Sequence, residues 1–144
     1  EDKPLPLFKS SQNKRAWIHV DDHARAIDLI VHNGRIGEAY NIGTMVEKSV
    51  EEIAEAVLRT LGKPDALKTY VPDRLQHDKR YVLDATKITT ELGWRPLVAF
   101  DEGIRDTILW YRDNEDWWRH CKSGAYQAYY SNYYEHQLGQ PANV

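Results

Sequence analysis

Two arginines and a histidine occupy segments that the sequence predicts to be loops or loop edges, where they could bind a phosphate group. Arg74 and His77 lie in VPDRLQHDKRYVLDATK (71–87), and Arg15 begins a predicted strand after a polar loop. A guanidinium group gives a phosphate two parallel, charge-assisted hydrogen bonds, so two converging arginines suit a diphosphate. Acidic proteins also carry arginines in loops, and a solvated charge run is the alternative that these residues alone leave open.

Other catalytic and binding chemistry has no motif in the sequence. It contains no GxGxxG, P-loop, HExxH or GxSxG pattern. His19 and His23 are four residues apart, but they straddle a predicted strand end and helix start, so we do not expect a metal site. The single cysteine, Cys121, has no partner for an internal disulfide and forms no CxxC motif.

Composition limits the partners further. The 144 residues are enough for one domain with a core, and the formal net charge of −3 argues against a nucleic-acid or anionic-membrane surface. No apolar run approaches the length of a membrane span, so we expect a cytoplasmic protein with a small anionic ligand. The absence of an initial methionine indicates a processed or partial polypeptide.

Strand-like and helical segments alternate, which predicts an α/β fold. Ser49 and Glu52 have the spacing of a capping box, and Asp21 or Asp22 is the expected N-cap of an earlier helix that carries Ala24, Ile27 and Val31. Strands are predicted at 15–20, 38–43, 67–71 and 80–84, and further helices at 84–92, with Asp84 as its cap, and at about 101–114. Tyr126, Tyr129, Tyr130, Tyr133 and Tyr134 share one face of a predicted helix, which favours packing rather than a cofactor site.

Seven segments carry a family resemblance that extends along the chain. They are PLPLF (4–8), NKRAWIHVDDHARAI (13–27), GEAYNIG (37–43), DRLQHDKRY (73–81), DATKITTELGWRP (84–96), FDEGIRDTILWY (100–111) and KSGAYQ (122–127). Together they resemble the C-terminal part of the extended short-chain dehydrogenases/reductases. The HVDDHARAI segment, the DRLQHDKRY loop and the KSGAYQ tail resemble the dTDP-glucose 4,6-dehydratase branch in particular.

The resemblance implies a fold and a binding site. The chain would form the sugar-nucleotide-binding portion of a Rossmann-type enzyme, with a substrate-binding domain at 1–114 and an aromatic-rich helical tail at 115–144. Pro6, Leu7 and Phe8 would lie along the nucleoside, Arg15 and Arg74 would contact the diphosphate, and Asp73, Arg74, Leu75, Gln76 and His77 would form a loop closing over it.

The resemblance also implies an activity for a longer parent enzyme. Members of this branch use NAD to convert dTDP-glucose to its 4-keto-6-deoxy derivative with loss of water, an early step towards rhamnose. The NAD-binding loop and the catalytic residues belong to an N-terminal part that these residues lack. We therefore expect the chain alone to bind no NAD and to be inactive, the full-length enzyme to be a homodimer, and the isolated piece to expose apolar surface and self-associate.

Two departures from the branch pattern leave alternatives open. Leu75 and Gln76 replace a Pro-Gly pair, and Val50 stands where the branch often has an asparagine. The segment KSVEEIAEAV (48–57) is closer to the epimerases, so a UDP-sugar 4-epimerase or decarboxylase is the alternative within the family. An alternative of another class is a non-catalytic module that binds sugar nucleotides.

Overall fold

The computed structural model describes residues 2–73, 78–122 and 124. The chain divides into two compact units, Glu1–Ile108 and Leu109–Val144.

The strands of the first unit form two small sheets. They are β1 (Leu5–Phe8), β2 (Lys14–Ala16), β3 (Glu47–Ser49), β4 (Lys68–Val71) and β5 (Arg80–Tyr81). β1 pairs with β4 in parallel, whereas β2 lies between β3, which is antiparallel to it, and β5, which is parallel. The segments 5–16 and 68–81 therefore run side by side in the same direction.

The helices begin and end close to the expected positions. They are α1 (Val20–Asn33), α2 (Val50–Thr60), α3 (Thr86–Leu92), α4 (Phe100–Asp113) and α5 (Glu115–Cys121), with a short 3-10 turn at Asp65–Leu67. The predicted capping box of α2 is confirmed, because the Ser49 hydroxyl accepts from the Glu52 amide and the Glu52 carboxylate accepts from the Ser49 amide, at 3.1 and 2.8 Å. Gly93 ends α3 in the left-handed conformation, with φ of 69°.

Three of the predicted strands are shorter or missing in the described chain. The strand expected at 15–20 ends at Ala16, because the next residues approach α1 and the Trp17 amide donates to the Val46 carbonyl outside any ladder. The strand expected at 80–84 covers only Arg80–Tyr81. Residues 38–43 pair with no strand among the described residues, although Tyr40 and Ile42 pack against the core as alternate positions of a strand would.

The helix caps also differ from two predictions. His19, rather than Asp21 or Asp22, is the N-cap of α1, because its ring Nδ1 accepts from the Asp21 amide at 3.3 Å. The N-cap of α3 is Ala85 rather than Asp84. The Asp84 carboxylate nevertheless accepts from the Thr86 amide at 2.8 Å, so the residue before the cap satisfies a main-chain donor at the start of the helix.

Asp22 instead joins α1 to the segment between α3 and α4. Its side chain is 1% exposed, and its two carboxylate oxygens accept from the Leu97 and Val98 amides at 2.9 and 3.0 Å. The Trp94 indole N–H donates to the Asp22 carbonyl at 3.2 Å. A buried carboxylate thus satisfies two main-chain donors that have no helix or strand to pair with.

The core lies between α1 and α3, around Ala26, Ile88 and Trp94. Leu29 and Ile30 of α1 pack against it, so the core-facing side of the helix is not the one that carries Ala24, Ile27 and Val31. Those three residues and Val20 are exposed. α1 therefore has a second apolar face that no described residue covers.

The second unit is organised by aromatic contacts around α5. Trp110 makes edge-on contacts with Tyr111 and Trp117 at centroid distances of 5.3 and 5.2 Å, and the Trp118 indole donates to the Tyr111 carbonyl at 2.9 Å. The predicted tyrosine face at 126–134 lies outside the described residues.

We expect Asp22→Asn to lower the free energy of unfolding by about 1–3 kcal/mol, because the amide NH₂ cannot accept from the second main-chain donor. Urea denaturation at neutral pH measures the change. Asp21→Asn, on the exposed neighbour, is the matched control and should change stability by less than about 0.5 kcal/mol. Equal effects of the two substitutions would contradict the role assigned to Asp22.

Candidate functional site

The parallel pairing of β1 with β4 brings two loops to one edge of the sheet. Phe8 and Val71 are paired at the carboxyl ends of the two strands, and the Lys9 amide donates to the Val71 carbonyl at 3.1 Å. Loop 9–13 follows β1 and loop 72–79 follows β4. The next paired residues are Lys14 of β2 and Arg80 of β5. The first loop therefore has five residues, and the second has eight residues between the same paired positions.

Asp73 fixes the beginning of the longer loop. Its carboxylate accepts from the Ser10 main-chain amide at 2.8 Å. Loop 9–13 is itself a tight turn, in which the Ser11 amide donates to Phe8 and the Asn13 amide donates to Ser10. The predicted site residue Asp73 is thus held by a main-chain donor of the turn that follows Phe8.

Arg15 fixes the end of the longer loop. Its guanidinium donates to the carbonyls of Lys14 and Asp78 at 2.7 and 2.9 Å and lies over the Tyr81 ring, 4.7 Å from its centroid. The Lys14 amide donates to the Lys79 carbonyl at 2.9 Å. Arg15 is therefore bonded to the residue that follows segment 74–77 in the sequence, a segment in which four site residues were predicted.

Those four residues, Arg74, Leu75, Gln76 and His77, lie outside the described residues. Both neighbours of this segment are described, and each is bonded to the segment that carries Arg15. Asp73 is anchored to Ser10 on one side and Asp78 to Arg15 on the other.

The three predicted nucleoside residues do not share one face of β1. Leu7 is buried at 5% exposure, whereas Pro6 is exposed and Phe8 half-buried. Alternate residues of a strand point to opposite faces, so the Leu7 side chain packs inside while its neighbours face the other way. Pro6 and Phe8 are the side chains of this set that are accessible to a ligand.

Glu51 supports the site, and the sequence reasoning missed it. Its amide donates to the Ser11 carbonyl at 2.9 Å, and its carboxylate accepts from the Tyr70 hydroxyl and the Lys68 ammonium at 2.8 and 3.0 Å. Burial alone would raise the pKa of Glu51, but hydrogen bonds from Ser11, Tyr70 and Lys68 lower it below its ordinary value. Its position two residues after the capping serine indicated only the first turn of a helix.

Val50 also lies beside the shorter loop. Its amide approaches the Asn13 carbonyl at 3.4 Å, and the residue opens α2. The position where the family branch often has an asparagine is therefore adjacent to the candidate site, at the end of the loop that precedes Arg15.

The described residues contain another concave surface that does not coincide with the candidate site. A depression of about 310 Å³ is lined by Asn33, Arg35, Tyr40, Glu91 and Leu92. Arg35 pairs with Glu91, which also accepts from the Tyr40 hydroxyl at 2.9 Å, so its polar groups already satisfy one another. The network links the segment after α1 to α3 and contains no predicted site residue.

Metal and membrane sites are not found in the part of the chain that the structure describes. Within it, no three histidine, cysteine, aspartate or glutamate side chains are close enough to hold a metal ion. None of its helices combines the length and the apolar character needed to cross a bilayer.

Among the described residues, the junction of β3 and α2 does not have the features of a dinucleotide-binding turn. A dinucleotide pyrophosphate is bound where a strand passes through a glycine-rich turn into a helix N-terminus. In the described chain β3 passes directly into α2, but the junction has no glycine, and Glu51 and Glu52 place two carboxylates in the first turn. These carboxylates would repel a pyrophosphate.

Comparison with known proteins agrees with the family resemblance. The family model described as GDP-mannose 4,6 dehydratase matches residues 2–107. The dTDP-glucose 4,6-dehydratase of Streptomyces niveus is 48% identical over 83% of this chain and 35% of its own length. That of Salmonella typhimurium strain LT2 is 44% identical over 94% of this chain and 39% of its own length.

Solved structures give the same result. The dTDP-glucose 4,6-dehydratase of Bacillus anthracis strain Ames, in complex with NAD, superposes with a TM-score of 0.75 at 44% identity, over 81% of this chain and 37% of that one. A UDP-glucose 4-epimerase from Thermotoga maritima, solved with UDP-glucose, has a TM-score of 0.71 at 29% identity, over 78% and 36%.

The chain belongs to the GDP-mannose 4,6-dehydratase family of nucleotide-sugar-modifying enzymes. It is 44–48% identical to the two dTDP-glucose 4,6-dehydratases named above, and its mixed α/β fold matches the Rossmann-type structures of such enzymes over about four-fifths of the chain. It spans between about 35% and 39% of the length of the curated relatives that it matches.

We expect Glu51→Gln to reduce the free energy of unfolding by about 1–2 kcal/mol at pH 7, because the charged acceptor of Lys68 and Tyr70 is lost. The folded state lowers the pKa of Glu51, so its ionised form stabilises the fold above the ordinary value of 4.5 and this contribution is lost as the pH falls through the folded-state pKa. The difference in the free energy of unfolding between Glu51→Gln and wild type should therefore become smaller below pH 4.5.

Urea denaturation at pH 7 and in the acid range measures the two free energies. Glu55→Gln is the matched control, because Glu55 is exposed and its carboxylate lies 3.5 Å from the ammonium of the same lysine, farther than that of Glu51 at 3.0 Å. A gap for Glu51→Gln that stayed constant across the acid range would contradict the assignment.

Proposed function

We propose that these residues are the sugar-nucleotide-binding part of a dTDP-glucose 4,6-dehydratase, which converts dTDP-glucose to its 4-keto-6-deoxy derivative with loss of water. The observation that carries the proposal is the junction of loops 9–13 and 72–79. There the predicted diphosphate residue Arg15 is bonded to Asp78, and Asp73 to Ser10, around the segment that contains Arg74.

Charge and exposure support the same role. Arg15 and Arg74 supply guanidinium groups for the diphosphate, and Pro6 and Phe8 supply surface for the nucleoside, with Leu7 supporting the strand from inside. We propose that Leu75, Gln76 and His77 complete the loop over the diphosphate. The substrate-binding domain is proposed to be 1–114 and the tail 115–144.

The remaining parts of the reaction belong to residues outside this chain. We propose that the parent enzyme uses NAD, as the relative from Bacillus anthracis is described in complex with it, and that the parent is a cytoplasmic homodimer. We propose that the 144-residue chain alone is inactive, because its sequence contains no glycine-rich dinucleotide motif.

A UDP-sugar 4-epimerase is the second candidate, favoured by Val50 beside loop 9–13. Relative identity opposes it, since the dehydratases in these comparisons are 40–48% identical and the Thermotoga maritima epimerase is 29% identical. Turnover of dTDP-glucose against UDP-glucose by the full-length gene product distinguishes the two. A non-catalytic binding module would bind dTDP by calorimetry and turn over neither sugar nucleotide.

We expect Arg15→Ala and Arg74→Ala in the full-length gene product each to raise KM for dTDP-glucose about 10–100-fold, because each removes charge-assisted hydrogen bonds to the diphosphate. Steady-state kinetics measures the effect. Arg59→Ala, on the exposed side of α2, is the matched control and should leave KM within about twofold. Unchanged KM in Arg15→Ala and Arg74→Ala would contradict the diphosphate assignment.

We also propose that the 144-residue chain self-associates through the exposed face of α1. Val20, Ala24, Ile27 and Val31 form one stripe, with Val20 69%, Ile27 46% and Val31 74% exposed. In an antiparallel pair of α1 helices, Val20 would lie opposite Val31 and Ala24 opposite Ile27. The same register sets His23 opposite Asp28, so the stripe is self-complementary in its hydrogen-bonding groups as well as in shape.

We expect Ile27→Glu to weaken this self-association at least tenfold, because it places two carboxylates in the centre of the symmetric contact. Sedimentation equilibrium of the 144-residue chain measures the association constant. Ile36→Glu is the matched control, since Ile36 is fully exposed outside the stripe. A wild-type chain that stayed monomeric at all concentrations would overturn the proposal and would indicate that the stripe is covered by another part of the parent.

A further inference from the structure

Tyr81 contacts both groups that fix the end of loop 72–79. Its ring lies against the Arg15 guanidinium, with the central carbon 4.7 Å from the ring centroid, and its hydroxyl donates to the Asp78 carboxylate. The two residues are register partners, Arg15 on β2 and Tyr81 on the parallel strand β5. One side chain therefore contacts the arginine through its face and the adjacent loop residue through its edge.

The contacts of Arg15 restrict the direction of its guanidinium plane. The carbonyls of Lys14 and Asp78 accept from its two terminal nitrogens, and the Tyr81 ring fixes the plane from one side. A planar fork is specific for a diphosphate only when its orientation is set before the ligand arrives. Lys14 and Asp78 act through main-chain oxygens, so Tyr81 is the side chain in this set that a substitution can remove.

The Tyr81 hydroxyl is itself held in place. Its hydrogen bond to Asp78, partial burial and the negative charge of Asp78 raise the pKa of Tyr81, and the positive charge of Arg15 opposes them. The hydroxyl therefore stays protonated and donates at physiological pH. A swing of the ring away from Arg15 about χ1 would break this bond.

We propose that Tyr81 is a positioning residue for diphosphate binding, which orients Arg15 through its ring and holds Asp78 through its hydroxyl. This proposal rests on the proposed function, in which Arg15 contacts the diphosphate of the sugar nucleotide. The aromatic ring is the essential part, and the hydroxyl restrains it.

Two substitutions separate the ring from the hydroxyl. In the full-length gene product we expect Tyr81→Leu to raise KM for dTDP-glucose about tenfold with kcat within about twofold. Tenfold corresponds to about 1.4 kcal/mol, which lies between the values for exposed and for desolvated cation–π contacts. Tyr81→Phe keeps the ring and should raise KM by less than about threefold.

Tyr40→Leu is the matched control for general destabilisation. Tyr40 also has a cation over its ring, Lys87 at 4.6 Å, and donates its hydroxyl to a carboxylate, Glu91, but it lies in the network beside α3. Its loss should reduce stability and leave KM unchanged. An equal rise of KM in Tyr40→Leu and Tyr81→Leu, or no rise in Tyr81→Leu, would overturn the proposal.

A second measurement does not depend on turnover. In the 144-residue chain the Arg15 Nε–H resonance should carry a ring-current shift that Tyr81→Phe keeps and Tyr81→Leu removes. A resonance unchanged in Tyr81→Leu would overturn the positioning of Arg15. If the wild-type gene product turned over no sugar nucleotide, the proposed function and the diphosphate role would both fall, while the resonance would still report whether Tyr81 orients Arg15.

Discussion

The parallel alignment of residues 5–16 with residues 68–81 is the constraint on which the candidate site depends. β1 pairs in parallel with β4, and β2 pairs in parallel with β5, so the two segments lie side by side both before and after their loops. A parallel pair cannot be closed by a hairpin, and here β3 and α2 lie in the long connection between the two passes. Loops that are distant in sequence therefore begin and end together.

Two buried carboxylates stabilise the surroundings of this alignment. Glu51 joins the first turn of α2 to Ser11 on one pass and to Lys68 and Tyr70 on the other. Asp22 performs the equivalent task for the core, by accepting from the main chain between α3 and α4. Each carboxylate connects segments that no sheet or helix joins, which explains why both side chains are buried although charged side chains rarely are.

The sequence predicted what depends on local chemistry. The capping box of α2, the glycine that ends α3 and the strand at Lys68–Val71 follow from residue type and spacing, and all are confirmed. Asp22 was expected at a cap because its type suits that position, and only the tertiary fold determines that His19 caps the helix instead. Segment 38–43 has the pattern of a strand, but strand formation needs a partner, which pattern alone does not supply.

The candidate site shows the same division. The arginines were selected from the resemblance and from the chemistry of guanidinium groups. Arg15 is bonded to Asp78, and the contact of the two arginines with a diphosphate stays a prediction. Glu51 and Tyr81 contribute through contacts between residues that are distant in sequence. Glu51 accepts from Tyr70, 19 residues later, and Tyr81 is the register partner of Arg15, more than 60 residues earlier. No local motif encodes these pairings, so a single sequence gave no reason to select them.

The anchors of loop 72–79 rely on main-chain atoms of the facing segment, and this determines how the sequence can drift there. Asp73 requires only an N–H at position 10, and Arg15 requires only a carbonyl at position 78. Any residue except proline can supply the first, and every residue supplies the second. Position 10 can therefore change identity without loss of its main-chain anchor, whereas position 78 is also constrained by the hydrogen bond that the Tyr81 hydroxyl donates to the Asp78 carboxylate. Relatives need not share residue 10 to share this anchor.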